Sequence, residues 1–221
     1  MSIGKDILDG IVSEVKRLRF HAAGYPFMMG ALLVWAVFPS VWLGLGVAWV
    51  CYFFRHPYRV ISDDPDGVVS PADGRVCDIE RNIFAPGIDE VLYHRISVFL
   101  SVFDVHVNRL PVGGKIIKRS HRPGVFRHAA HPQAGESNEQ LSLHIQKDNH
   151  DVVVCVQVAG WIARRIVCDL REGDVGNVGD TYGIIRFGSR MDIYVPASYG
   201  VTVKKGQGVR AGESVIAQCL A

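Results

Sequence analysis

An excess of charge is the first thing missing. The chain has 24 lysines and arginines against 22 aspartates and glutamates, a formal balance of +2 over 221 residues. That excludes a protein whose affinity rests on neutralising phosphates along a nucleic acid, and no nucleic-acid partner is expected. Paired cysteines are missing too. Cys51, Cys77, Cys155, Cys168 and Cys219 are odd in number and scattered, with no C-x-x-C pair and no zinc-like spacing, so they read as small buried hydrophobes in a reducing compartment. No G-x-S-x-G frame surrounds Ser189, which withdraws support for a hydrolase elbow. A chain of this length holds one well-buried domain with an appendage rather than two full domains.

From Ala22 to Phe54 every charged side chain is absent, and the run is nearly all apolar. A secretory signal would show an apolar stretch of about 7 to 15 residues and then a small-residue cleavage site, and neither feature is present. Pro39-Ser40 divides the run into halves of about 15 residues, which at about 1.5 Å per residue are shorter than a roughly 30 Å hydrocarbon layer. Lys16, Arg17 and Arg19 precede the run and Arg55 and Arg59 follow it, which keeps both ends on the cytoplasmic side. The expectation is a membrane-embedded helical hairpin over residues 21–55. Before it, Ile3, Ile7, Ile11, Val15 and Leu18 fall at helical spacing among charges; residues 1–20 are expected to form an amphipathic helix at the membrane surface.

After Phe54 the texture changes. Short β-branched runs such as D-V-V-V-C-V-Q-V, R-R-I-V-C-D-L and M-D-I-Y-V are divided by Gly, Pro and Asp clusters. Residues 56–221 are therefore expected to be mostly β, as a β-sandwich or partial barrel. Turn-rich likenesses between V-G-D-T-Y-G and A-G-E-S-V-I-A suggest a carrier-like architecture, but Lys204-Lys205 precede a glycine turn and read as solvated charges.

Within R-F-G-S-R-M-D-I-Y-V-P, Gly188-Ser189 interrupts an alternating strand. A bulge beside an exposed serine is one explanation. Another is chemistry on the peptide bond itself. A serine hydroxyl can attack the carbonyl before it, glycine there removes the Cβ that would obstruct the intermediate, and β-elimination of the ester yields dehydroalanine and then a pyruvoyl group. Such a ketone captures an amine as a Schiff base and accepts electrons. Asp73 in S-P-A-D-G suits an ordinary turn, and a lone strand histidine such as His106 usually has a structural place.

Taken together, F-F-R-H-P-Y-R, S-P-A-D-G-R-V, D-V-H-V-N-R-L-P, A-R-R-I-V and R-F-G-S-R-M-D-I-Y-V-P, in that order from about Phe53 to the C-terminus, resemble phosphatidylserine decarboxylase of the short, archaeal-type subfamily. The resemblance implies self-cleavage between Gly188 and Ser189 into chains 1–188 and 189–221, which stay together as a heterodimer open to further oligomerisation. It also implies a covalent pyruvate cofactor made from Ser189, with Asp73 assisting cleavage and His106 serving decarboxylation. A histidine titrating near neutrality suits the protonation that follows loss of carbon dioxide. One departure stands out: where longer members carry a second histidine three positions on, this chain has Arg109. Either Asp73 acts through another group, His94 and His144 being candidates, or Arg109 positions the scissile carbonyl while Asp73 takes the proton. An aspartate doing so needs a raised pKa, most simply by burial.

The implied partners are phosphatidylserine and the bilayer that holds its acyl chains, which places the protein at the cytoplasmic face of the cell membrane. Arg55, Arg59, Arg164, Arg165 and Arg190 are candidates for headgroup phosphate or carboxylate. The histidines His121, His128 and His131 lie in a Gly, Pro and Ala-rich stretch that reads as a loop near the site, and no metal is expected. Three alternatives remain at this point: a pyruvoyl decarboxylase acting on a soluble amino acid, a serine hydrolase, and a non-catalytic membrane-tethered β module that binds a lipid or protein.

Overall fold

A computed structural model describes residues 19–124, 138–160, 166–185 and 189–220. The chain divides into two compact units, residues 1–58 and 59–221.

In the first unit a single 3-10 turn (Ala22–Gly24) leads into α1 (Tyr25–Val37) and α2 (Val41–Phe53). Pro26 sits in the first turn of α1, where a missing N–H costs nothing. Ser40 caps α2 by accepting the Leu43 N–H at 3.2 Å. Pro39 falls in the break between the helices, where it cannot interrupt either ladder. The helices pack side by side, Gly44 facing the Trp35 indole, and Trp35 Nε1 donates to the Ser40 carbonyl at 3.0 Å. Phe20 and Arg55 form a bridge that joins the chain entering the pair to the chain leaving it. Both helices carry exposed apolar side chains, Leu33 64 % and Trp42 82 % exposed among them. No helix among the described residues is long and apolar enough to cross a membrane. Of the expected amphipathic helix, residues 1–18 lie outside the described residues.

The second unit is mostly β, with only antiparallel pairings and no closed barrel among the described residues. Its strands are β1 (Gly67–Val69), β2 (Gly74–Ala85), β3 (Ile88–Leu100), β4 (Val107–Arg109), β5 (Gly114–Arg122), β6 (Gln140–Gln146), β7 (Val152–Val158), β8 (Ile166–Cys168), β9 (Val175–Gly176), β10 (Thr181–Ile185), β11 (Ser189–Pro196), β12 (Tyr199–Val201), β13 (Gly208–Val209) and β14 (Val215–Cys219). An eight-stranded sheet runs in the order β13-β2-β3-β11-β7-β6-β5-β9, and two three-stranded sheets run β1-β14-β12 and β4-β10-β8. The two-residue edge strands offer little to pair with, one way of managing an open edge.

The main core lies on one face of the large sheet. There Ile96, Val98 and Leu100 of β3, Leu141, Leu143 and Ile145 of β6, and Met191, Ile193 and Val195 of β11 meet Tyr182, Tyr199 and Ile216 from the small sheets. A second cluster, with Ala85, Tyr93, Val154, Val156, Val158 and Tyr194, occupies the other face, under the long β2–β3 hairpin. Strands buried on both faces read as unbroken apolar runs, which is why V-V-V-C-V-Q-V shows no alternation.

Candidate active site

Ser189 is the first residue of β11, opposite Leu100 of β3. It shares parity with Met191 and Ile193, so its side chain belongs to the face of the main core, and it is fully buried. Its Oγ has no hydrogen-bond partner among the described residues, a condition that costs about 1–3 kcal/mol and asks for an explanation. Gly188, the other half of the expected cleavage site, lies outside the described residues.

Asp73 follows a turn that its own motif builds. Ser70 Oγ donates to the Ala72 carbonyl at 2.7 Å, and the Arg109 N–H donates to the Pro71 carbonyl at 2.9 Å. Gly74 then adopts φ +150°, and a Cβ there would collide with the Phe99 carbonyl oxygen; only glycine lets β2 approach β3 so closely. β2 and β11 flank β3 on either side, which sets Asp73 and Ser189 two strand spacings apart, about 10 Å between backbones. Asp73 Oδ1 accepts the Ala211 N–H at 2.8 Å, and Oδ2 accepts from Arg59 Nη2 at 2.5 Å. Arg59 also reaches Glu213 at 3.6 Å. Burial raises the Asp73 pKa above 3.8; the Ala211 N–H and the Arg59 charge oppose it, and nearby Asp104 adds to it. A cleft of about 540 Å³ opens here, lined by Asp73, Phe99, Ser101, Asp104 and Arg210. Phe99 and Ser101 bracket Leu100, the residue facing Ser189.

His106 is fully buried, and its Nδ1 lies 2.9 Å from the Asp104 carbonyl. A carbonyl only accepts, so Nδ1 carries the hydrogen. The His106 carbonyl in turn accepts the Ile185 N–H at 3.4 Å, and Ile184 pairs with Val107. The histidine is thus fastened to the end of β10, four positions before Ser189. Arg109 Nη1 donates to the Gly179 carbonyl at 2.8 Å. Burial and the Arg59 charge lower its pKa, while Asp73, Asp180 and Glu213 oppose them, so the guanidinium belongs to the charge cluster around Asp73.

The other two histidines offered as cleavage helpers stand apart. His144 pairs with Val154 on β6 and alternates with the core residues Leu143 and Ile145, which places it on the face opposite Ser189. His94 shares the face of Ser189, but it sits six residues along β3 from Leu100, about 20 Å. Neither reaches the serine. Among the arginines offered for the headgroup, Arg59 is held by Asp73, and Arg190 is buried in an ion pair with Asp192 at 2.7 Å. Arg55 lies over the Tyr52 ring at 3.7 Å, and Arg164 and Arg165 lie outside the described residues. His121 meets Glu139 at 2.9 Å, while His128 and His131 are likewise outside.

Sequence reading missed Asp104, the residue that orients His106, although it stands two positions before it in D-V-H. It also missed a buried amide pair, Gln157 Nε2 donating to Asn108 Oδ1 at 2.9 Å. Gln157 lies opposite Met191, two residues from Ser189 on the same face. The available signal was a glutamine and an asparagine inside apolar runs.

Across residues 47–217 the chain matches the family described as phosphatidylserine decarboxylase, a span that takes in β1 to β13 and most of β14. The chain belongs to the phosphatidylserine decarboxylase family. It is 46% identical to the phosphatidylserine decarboxylase proenzyme of Mycobacterium tuberculosis over 208 residues, covering 90% of this chain and 89% of that one. Identity is 43% to the proenzyme of the same name from Rickettsia felis, covering 89% of each chain, and 43% to that of Saccharopolyspora erythraea, covering 90% and 87%. The family membership gives the buried, unpartnered hydroxyl of Ser189 a chemical context that its geometry alone does not name.

Proposed function

We propose that this chain is a self-processing phosphatidylserine decarboxylase that turns phosphatidylserine into phosphatidylethanolamine and carbon dioxide. The observation that carries the reading is Ser189, a buried hydroxyl with no partner among the described residues, at the head of a strand and opposite Leu100, whose neighbours Phe99 and Ser101 line the cleft that holds Asp73. Its Oγ attacks the Gly188 carbonyl and the C–N bond breaks, leaving an ester and a free amine on residue 189. Loss of the Cα proton then expels the Gly188 carboxylate, and hydrolysis of the resulting enamine releases ammonia. Residues 1–188 and 189–221 remain together through the ladder of β11 between β3 and β7.

Asp73 is the base for that first step. Its backbone stands two strands from Ser189, so the proton passes through an intervening group; Arg59 and the Ala211 N–H hold the carboxylate in place. A pyruvoyl ketone made from Ser189 would be held at the head of β11 and would supply an electrophile for the headgroup amine and a sink for the electron pair that carbon dioxide leaves behind. His106, its Nδ1–H held by the Asp104 carbonyl, delivers the proton to the α-carbon from Nε2 of the doubly protonated ring and is left as the neutral Nδ1–H form. The main core around Ser189 keeps water from competing for that proton.

The substrate's acyl chains give α1 and α2 their purpose. At 13 residues each, about 20 Å long, they form a hairpin that enters one leaflet from the cytoplasmic face without crossing. Vesicle sedimentation tests this: Leu33→Asp with Trp42→Asp should release the protein from the membrane, and unchanged binding overturns the anchor.

Intact mass with and without hydroxylamine tests the reading as a whole. Two chains are expected, the smaller beginning at residue 189 with a blocked, carbonyl-reactive terminus. One unmodified chain of 24.4 kDa that binds vesicles but stays uncut favours the non-catalytic module.

A further inference from the structure

On the face of the large sheet away from Ser189, three successive rungs between β5 and β6 are all polar: Lys118 opposite His144, Ser120 opposite Ser142, and Arg122 opposite Gln140. Together they floor a cavity of about 120 Å³ under the Pro86-Gly87 turn of the β2–β3 hairpin. That is room for a group several times the size of a water molecule. Among the described residues no carboxylate lines it. The two cations stand four residues apart on one strand, about 13 Å between backbones, so their long side chains can close on an object seated over the serine rung.

Two further observations point to an absent anion rather than to solvated charge. His144 is 2 % exposed, and its Nε2 is buried without a hydrogen-bond partner among the described residues. Its Cε1, the ring carbon between Nδ1 and Nε2, lies 3.8 Å from where a Cβ on Gly87 would stand, so that corner of the ring is turned toward the Gly87 turn over the cavity. The same missing Cβ leaves space for the Lys118 ammonium, which lies 2.8 Å from that position. Gly87 adopts φ +75°, a conformation that favours glycine, and it thereby keeps the cavity open.

We propose that this cavity binds a phosphate group, gripped by Lys118 and Arg122 and capped by a hydrogen bond from His144 Nε2–H. An uncharged imidazole is the right donor here. Burial and the Lys118 charge both push the His144 pKa below its ordinary value, and the neutral ring adds specificity without adding charge. The phosphate can come from free solution or from the headgroup of an anionic lipid, and the two sources share the same contacts.

Ring signals of His144 in the full-length protein, followed by NMR during titration with inorganic phosphate, test the site. A saturable shift at millimolar phosphate is expected, weakened about tenfold by Lys118→Ala, the loss of one charge-assisted contact. Vesicles of phosphatidylglycerol that displace phosphate, where vesicles of phosphatidylcholine do not, identify a headgroup as the ligand. Failure of both to displace it identifies free phosphate. The absence of a saturable shift, or an equal shift in Lys118→Ala, overturns the proposal. Lys118→Ala should still cut at Ser189 at the normal rate, so this readout and the decarboxylase reading fail independently.

Discussion

The two faces of β11 carry neighbouring residues into opposite environments. On one, Met191, Ile193 and Val195 join the main apolar core beside Ser189, whose hydroxyl has no hydrogen-bond partner among the described residues. On the other, Arg190 and Asp192 are just as buried yet locked in an ion pair, with Arg95 close by and bridged to Asp78 and Glu80. A one-residue step changes everything about a side chain's surroundings because the strand period is two. The lesson is that burial alone does not mark the reactive residue. What separates Ser189 from Arg190 is that the guanidinium has a carboxylate partner in Asp192, whereas the serine hydroxyl has none among the described residues.

That contrast can be broken outright by Ser189→Ala, which removes the hydroxyl proposed to attack the Gly188 carbonyl. The expected result is a single uncut chain on a denaturing gel with no decarboxylation; a cut, active variant sinks the mechanism.

Asp73→Asn tests the base next. It should slow self-cleavage by about 10²–10⁴-fold while the chain stays folded, because Arg59 keeps Glu213 as a partner. The pH dependence follows from the direction of the shift. Burial raises the pKa of the folded-state carboxylate above 3.8, so the basic form appears only above that value, and the cleavage rate of a freshly made precursor should climb with pH through a midpoint above 3.8. A midpoint at or below 3.8 removes Asp73 from the role. The same shift means that the folded state binds the proton more tightly than the unfolded chain, so the contribution of this group to stability declines as pH rises through that window.

His106→Ala separates the two reactions. Processing should continue while decarboxylation falls by about 10²–10⁴-fold, measured as release of labelled carbon dioxide, and failure to process moves His106 into the cleavage step.

The ion-paired face is tested through stability. Arg190→Ala strands the Asp192 carboxylate in the interior and should cost about 3–5 kcal/mol in chemical denaturation, whereas replacing both members with leucine should cost far less. On the apolar face, Ile193→Val removes one buried methylene and should cost about 0.5–1.5 kcal/mol. If Arg190→Ala proves no worse than Ile193→Val, the ion pair does not hold the far face together.

Much of the chemistry is legible in the chain because it is written in local order. Gly188-Ser189, the turn S-P-A-D-G and D-V-H are short motifs whose residue types limit what they can do, and the uncharged run from Ala22 to Phe54 with Pro39 inside it marks two short helices. The β character of the rest follows from β-branched runs between turn residues. The partners of those motifs were not legible. Arg59 looks like a loose surface cation beside the apolar run, and only the fold brings it to Asp73. His94 and His144 looked equivalent as helpers for Ser189, and register alone separates them, one by distance along a strand and the other by the face it occupies.

By itself, then, the sequence determined the kinds of element and the residue types in each short motif, and it singled out the bond proposed to react, because these depend on neighbours along the chain. Tertiary structure decided which polar groups are paired. Asp73 owes its held carboxylate to Arg59 and Ala211, His106 its fixed ring to the strand end that leads toward Ser189, and Ser189 its unpartnered hydroxyl to a core drawn from three sheets. Those relations join residues up to 138 positions apart, and the spacing of residues along a chain carries no information about distance across a fold.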